Sequence, residues 1–193
     1  MQSVFFEDKT FDKVNFTQQL FTKGEYENCI FSTCDLSNTD LSNVKFISCK
    51  FDHCNLSMAP LGNTAFKDIV FTNSKMLGLR FDHCSSMAFE IIVDDCRLNH
   101  SSFYKMKLKN TVFKSSHLEE VDFTECDLSS AVFDNCNLQK AVFENTVLEK
   151  TDFTTAYNYS LDPERNRIKK AKFSLNGVAG LLSKYNIEID IFK

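Results

Sequence analysis

A large apolar residue stands at every fifth position along most of this chain. From Phe6 the series runs through Phe11, Phe16, Phe21, Tyr26, Phe31, Leu36, Leu41, Phe46, Phe51, Leu56, Leu61, Phe66, Phe71, Met76 and Phe81. It resumes at Leu98 and continues through Phe103, Leu108, Phe113, Leu118, Phe123, Leu128, Phe133, Leu138, Phe143, Leu148 and Phe153. Helices repeat at about 3.6 residues and strands at about 2, so neither sustains a strict period of five. Two residues before each centre the side chain is small: Cys29, Cys34, Thr39, Val44, Cys49, Cys54, Ala59 and Thr64, and later Cys126, Ala131, Cys136, Ala141, Thr146 and Thr151. The unit is small-x-large-x-x, as in Ala141-Val142-Phe143-Glu144-Asn145. A fixed short period marks a repeat architecture, in which each unit buries its apolar face against its neighbours.

The unit explains the composition, which has 20 Phe and 8 Cys but no Trp, 5 Gly and 2 Pro in 193 residues. A net charge of −4 argues against a generic nucleic-acid binder, which would be basic. Nowhere do about 18 apolar residues run together, so no membrane-spanning helix is expected. The opening MQSVFFEDKTFDKV lacks the unbroken apolar stretch of a signal peptide, and the expectation is a soluble cytoplasmic protein.

Over roughly residues 4–173 the unit resembles the A(D/N)LXX consensus of the pentapeptide-repeat family. The resemblance implies an all-β fold, a right-handed quadrilateral parallel β-helix with a short C-terminal capping helix. Each pentapeptide would form one side of a square coil, with the small and large residues inward and the other three outward. Such a coil is narrow, and two inward positions per side can be filled at protein density only if one is small. Coils would stack at strand spacing, about 4.8 Å, and pair their backbones above and below. From Leu98 to Phe153 Leu and Phe alternate, and residues ten apart fall on opposite sides. Each layer should therefore set two Phe across from each other, and two Leu across the other diagonal.

The phase slips once. Phe81 and Leu98 are 17 residues apart, two more than three units, so a bulge or small loop is expected within 82–94. Phe173 and Ala171 keep the phase, while Pro163 at a centre position predicts a side broken open by a turn. A division into a solenoid over 1–173 and a cap over 174–193 follows. In the cap, Ser174 reads as the N-cap of an amphipathic helix of about three turns carrying Leu175, Val178, Leu181, Leu182 and Tyr185. Ile187, Ile189 and Ile191 then alternate with polar residues as a short strand would.

All eight cysteines (Cys29, Cys34, Cys49, Cys54, Cys84, Cys96, Cys126 and Cys136) fall at the small inward position or its equivalent beside the slip, and read as buried, reduced hydrophobes. His53-Cys54 and His83-Cys84 repeat a dipeptide, but one and a half coils separate them, which places them on opposite sides with His outward. No metal site is expected there. The sequence carries no P-loop, nucleophile elbow or zinc-protease motif, so neither catalysis nor a cofactor is expected.

Charge is uneven. Between Glu119 and Asp162 ten acids face two bases, a net of −8 in a chain whose total is −4. The acids are Glu119, Glu120, Asp122, Glu125, Asp127, Asp134, Glu144, Glu149, Asp152 and Asp162. The chain resembles the quinolone-resistance and microcin-immunity members of the family, whose tails are similar to Leu161–Asn166, Ala171–Ser174 and Gly180–Leu182 here. That resemblance implies a homodimer joined near Leu181, Leu182 and Tyr185, and a partner such as DNA gyrase or topoisomerase IV. The first nine acids would then imitate duplex phosphates, with no direct contact to nucleic acid. The alternative is a structural or interaction solenoid with an unrelated partner, since a fold does not fix a function.

Overall fold

The computed structural model describes residues 4–189. Within them the backbone winds as a right-handed, four-sided coil whose rungs pair in parallel. A four-stranded sheet holds β1 (Val4–Glu7), β3 (Gly24–Glu27), β5 (Lys45–Ile47) and β7 (Ala65–Lys67). A nine-stranded sheet holds β2 (Thr10–Asp12), β4 (Ile30–Ser32), β6 (Lys50–Asp52), β8 (Ile69–Thr72), β9 (Ile91–Asp94), β10 (Val112–Lys114), β11 (Val132–Asp134), β12 (Asp152–Phe153) and β13 (Lys172–Phe173). Numbered from the N-terminus, these are the first and second walls. The third is a column of single bridges from Asn15↔Asp35 to Asn137↔Tyr157, and the fourth carries Arg80↔Ser102, Ser102↔Asp122 and Asp122↔Val142.

Register follows the period. Phe31 pairs with Phe51, and Phe113 with Phe133, each 20 residues on. Centre residues from Phe31 to Phe153 are buried, and most of the Phe among them are wholly so. Most small positions are buried too, and at three of the Thr the hydroxyl donates to a carbonyl: Thr64 Oγ1 to that of Leu41 at 2.8 Å, Thr146 Oγ1 to that of Phe123 at 2.9 Å and Thr151 Oγ1 to that of Leu128 at 2.8 Å, while the Thr39 hydroxyl has no partner among the described residues. Each such bond satisfies a polar atom in a dry interior, where an unpaired one would cost about 1–3 kcal/mol.

Most units end at a corner where one residue adopts the left-handed conformation. The position lies two after the centre and recurs from Asp8 (φ 53°) to Lys170 (φ 61°). L-residues there lose roughly 1–2 kcal/mol, and Asn loses least because its side chain bonds locally. This accounts for Asn28, Asn38, Asn43, Asn63, Asn73, Asn110, Asn135 and Asn145 at corners.

The slip is a seam between two packing schemes. Before it, from the second coil on, aromatic rings occupy the first and second walls, with Phe46 edge-on to Phe51 at 5.2 Å. After it they occupy the second and fourth, as the Leu–Phe alternation predicts: Phe103 stacks on Phe123 at 5.5 Å and meets Phe113 edge-on at 5.9 Å. The two additional residues are taken up by a 3-10 turn, Phe81–His83, and the loop after it, and β8 pairs with β9 at an offset of 22. Phe89 from that loop meets both Phe66 and Phe81 edge-on, at 6.3 and 6.1 Å. Beyond the seam Phe81 stacks on Phe103 at 4.5 Å.

Three expectations are corrected at the C-terminal end and the seam. The cap is two 3-10 helices, Asn176–Leu181 and Ser183–Tyr185, in place of one three-turn amphipathic helix. The reason is close contact: a Cβ on Gly180 would stand 2.2 Å from the Tyr159 carbonyl, and one on Gly177 1.9 Å from its hydroxyl. Glycines fit there but weaken an α-helix by about 1 kcal/mol each, and Ser174 Oγ still accepts the Gly177 amide at 3.1 Å. Ile187 and Ile189 are exposed and form no strand, while Ile191 lies outside the described residues. Cys84 is half-buried, because it closes the 3-10 turn instead of occupying a regular rung; the other seven cysteines are buried. Pro163 does sit in a turn, and Asn166 bridges the broken side, its Nδ2 donating to the Phe143 carbonyl and its Oδ1 accepting the Thr146 amide, both at 2.9 Å.

Candidate functional site

The acids from Glu119 to Asp152 stand at the three outward positions of their units, which spreads them around the rod. Glu119 lies on the third wall and Glu120 at its corner; Asp122 and Glu144 lie on the fourth, with Glu125 at its corner; Asp127 and Glu149 lie on the first; Asp134 and Asp152 lie on the second. The −8 segment is thus a girdle around the last coils and not one acidic face.

Most of the girdle is paired with cations from the coils above and below. Lys105 Nζ lies 3.5 Å from Glu125, Lys109 Nζ 3.2 Å from Asp127, and Lys140 Nζ 3.4 Å from Glu120. Arg165 pairs with Glu144, while Arg167 reaches Glu149 at 2.6 Å and Lys172 reaches Asp152 at 3.0 Å. Glu119 instead accepts from the amides of Asn99 and Asn137, both at 2.6 Å. Asp122 and Asp134 have no cation within 4.0 Å among the described residues, and cap a local amide or accept a hydroxyl. Hydrogen bonds from the Thr154 hydroxyl and amide hold the Asp152 carboxyl below the ordinary range, with Lys172 helping. Asp127 is also lowered; its partial burial opposes this, but the Ser129 bonds and Lys109 outweigh it. These cations were legible at an offset of 20: Lys105 with Glu125, Glu120 with Lys140, Asp152 with Lys172.

The cap residues separate. Leu181 packs against the core and Leu182 is half-buried, while Tyr185 is 54% exposed and its hydroxyl lies 3.4 Å from Glu164. Lys184 bridges Asp162 at 2.8 Å and Glu164 at 2.6 Å, which pins the cap to the broken coil.

The cysteines offer no reactive centre. Burial pushes the thiols of Cys49, Cys96, Cys126 and Cys136 up to about 12, far from a nucleophile at neutral pH. Cys34 and Cys54 lie on adjacent rungs and shift oppositely: the hydrogen bond with Cys54 lowers the Cys34 thiol to about 7, and Cys34 together with burial raises Cys54, but both are buried away from any substrate. The His53 and His83 side chains are exposed, at corners on opposite sides. No group of three metal-ligating side chains converges among the described residues.

The family model described as "Pentapeptide repeat region" matches residues 44–123 and 94–173, and "Pentapeptide repeats (8 copies)" matches residues 27–57. The chain is a pentapeptide-repeat protein. Among solved structures it is similar to trypsin-treated QnrB1, a plasmid-mediated fluoroquinolone resistance protein, at 20% identity and a TM-score of 0.46, over 97% of this chain and 100% of that one. It is also similar to HetL, a pentapeptide-repeat protein involved in heterocyst differentiation regulation in Nostoc sp. strain PCC 7120, at 13% identity and a TM-score of 0.42, over 88% and 87% of the two chains. Neither likeness bears on activity. No curated protein matches the chain.

Proposed function

We propose that this pentapeptide-repeat protein is a non-catalytic binding protein whose partner is a bacterial type II topoisomerase, DNA gyrase or topoisomerase IV, engaged where that enzyme holds DNA. The observation behind this reading is the girdle of surface carboxylates on stacked coils about 4.8 Å apart. Its ion pairs do not disqualify it. Exposed pairs of this kind contribute about 0–1 kcal/mol each, and the cations sit on long stems that a basic saddle could displace. The chain acts as a homodimer joined at the cap through Leu181, Leu182 and Tyr185. The outcome is protection of the enzyme from quinolone-type poisons; QnrB1 is itself a fluoroquinolone resistance protein.

The test is a supercoiling assay with purified gyrase, with and without quinolone. Reversing Glu119, Glu120, Asp122 and Glu125 to Lys should abolish the effect while circular dichroism stays native. Binding should weaken steeply with salt, since exposed charges are screened beyond about 8 Å at physiological ionic strength. Sedimentation should give twice the chain mass, and Leu182→Glu a monomer. The inter-coil pairing of the girdle favours a second reading, an interaction solenoid for an unrelated protein. Gyrase that neither binds nor changes its activity would leave that reading standing.

A further inference from the structure

The outward residues of the second wall differ from those of the others. One position before each centre, the third wall carries Asn15, Asp35, Asn55, Lys75, Arg97, His117, Asn137 and Tyr157, and the fourth carries Leu20, Asp40, Pro60, Arg80, Ser102, Asp122 and Val142, so the exposed apolar residues Leu20, Val142 and Tyr157 stand there singly. On the second wall the same position holds Ile30, Lys50, Val70, Ile92, Val112 and Val132, in that order of pairing. Four β-branched apolar side chains therefore stand on consecutive rungs at the outward position, Ile92 44% exposed and Val70, Val112 and Val132 half-buried.

The row has charged borders. On its far side, the position after each centre holds Asp12, Asp52, Asp94 and Asp134 on alternate rungs. On its near side Asp68 and Glu90 stand at the corner that leads into β8 and β9, where the Ile69 amide donates to the Glu90 carbonyl. The cations here are Lys50, Lys114, which pairs with Asp94 at 3.2 Å, and Lys109 at the edge of the near side, which pairs with Asp127 at 3.2 Å, so the acids still outnumber them. Beside Ile92 and Val112 a depression of about 310 Å³ opens, floored by Phe89 and bounded by Asn110 and Thr111.

We propose that the second wall is a docking surface for an amphipathic α-helix of a protein partner, laid along the rod with its apolar stripe on Val70, Ile92, Val112 and Val132 and its flanking Lys and Arg against the acidic borders. The spacing selects a helix. Rungs recur at about 4.8 Å and helix turns at about 5.4 Å, a mismatch near 2 Å over three intervals that a small tilt absorbs. An extended segment repeats on one face at about 6.8 Å and falls out of step within two rungs. Strand addition is closed as well, because each rung of this wall from β4 to β12 is already paired on both sides. A second copy of the chain fits poorly, since like faces would set acid against acid.

This inference does not depend on a topoisomerase partner. The probe is a labelled synthetic helix of about 16 residues, long enough for the row at about 1.5 Å per residue, with a Leu stripe flanked by Lys. A scrambled peptide of the same composition and a Glu-for-Lys version serve as controls, and binding to the full chain is read by fluorescence anisotropy. The striped Lys peptide should bind at least about tenfold more tightly than either control, as complementary charge and burial together require. Ile92→Lys with Val112→Lys should remove that margin, and Asp94→Lys with Asp134→Lys should reduce it. Val142→Lys, equally exposed on the fourth wall, should leave it unchanged. No binding by the striped peptide, equal binding by the scrambled one, or equal loss with Val142→Lys overturns the proposal. So does self-association of the wild type that Ile92→Lys abolishes, for the occupant is then a second copy.

Discussion

Phe123 stacks on Phe103 at 5.5 Å and Phe143 at 5.2 Å, and meets Phe113 and Phe133 edge-on at 5.9 and 5.7 Å. Replacing it by Ala removes four aromatic contacts, each worth about 0.5–1.5 kcal/mol beyond area, together with roughly 2–3 kcal/mol of buried apolar surface. Measured losses are smaller than such sums when a site collapses, but this one is held open. The Phe123 amide bonds to the Val142 carbonyl at 2.9 Å and the Phe103 amide to that of Asp122 at 2.8 Å, so the rungs above and below keep their spacing. Phe123→Ala should therefore lie at the upper end of the known range, about 5 kcal/mol. Thr124→Ala, one residue on and outward, should stay within about 0.5 kcal/mol. Phe6, half-exposed and stacked on one side only, on Tyr26 at 4.6 Å, should lose about 2 kcal/mol when truncated. Equilibrium urea unfolding followed by circular dichroism measures all three. A loss below about 2 kcal/mol for Phe123→Ala, or parity with Thr124→Ala, would refute the dry, rung-locked core.

Thr33 holds a left-handed corner at φ 54° although it is β-branched, so Thr33→Asn should stabilise by about 1 kcal/mol; an unchanged or lower urea midpoint counts against corner strain. Asp40 and Asp52 are held at about 2, the first by Lys23 and the second by the Thr72 hydroxyl. Because these folded values lie below the unfolded value near 4, their contribution is complete above about pH 4 and disappears as pH falls toward about 2. Asp52→Asn should flatten part of that acid slope in unfolding midpoints taken across the range. Thiol labelling of the native chain should reach Cys84 first and leave the seven buried cysteines slow, with eight labelled in denaturant; rapid labelling of Cys126 or Cys136 would contradict their inward register.

The period of five made the walls, the inward faces and the Phe–Leu diagonals legible, because each follows from two inward positions per unit. The corners were not, since left-handed backbone leaves its mark at outward positions that the apolar period passes over; the run of Asn at those positions was the available signal. The seam could be placed from the phase but its role could not. Only the contacts of Phe89 show that the extra residues join aromatics on adjacent walls to aromatics on opposed walls. In the cap, the spacing of Leu175, Val178, Leu181 and Leu182 suits a helix, but the pressure of Tyr159 on Gly177 and Gly180 is tertiary and leaves no periodic trace. The acidic segment is a feature along the chain, whereas its charges are balanced across it by cations 18–20 residues away.

A stack in which each coil touches only the next behaves as a one-dimensional zipper, with stability passed from neighbour to neighbour. In the first described coil, Phe6, Phe11 and Phe16 are only half-buried, whereas the centres from Phe21 to Phe153 are buried, and at the other end Ile168 and Phe173 are half-buried beneath a cap whose Leu181 packs against the core. Opening therefore begins at the first coil and proceeds rung by rung until it meets the seam, where Phe81 lies flat on Phe103 with 4° between their planes. That junction decides whether the two halves melt as one unit or as two. Amide exchange across the molecule should rise in protection from the first coil inward, with any step in the profile falling between β8 and β9.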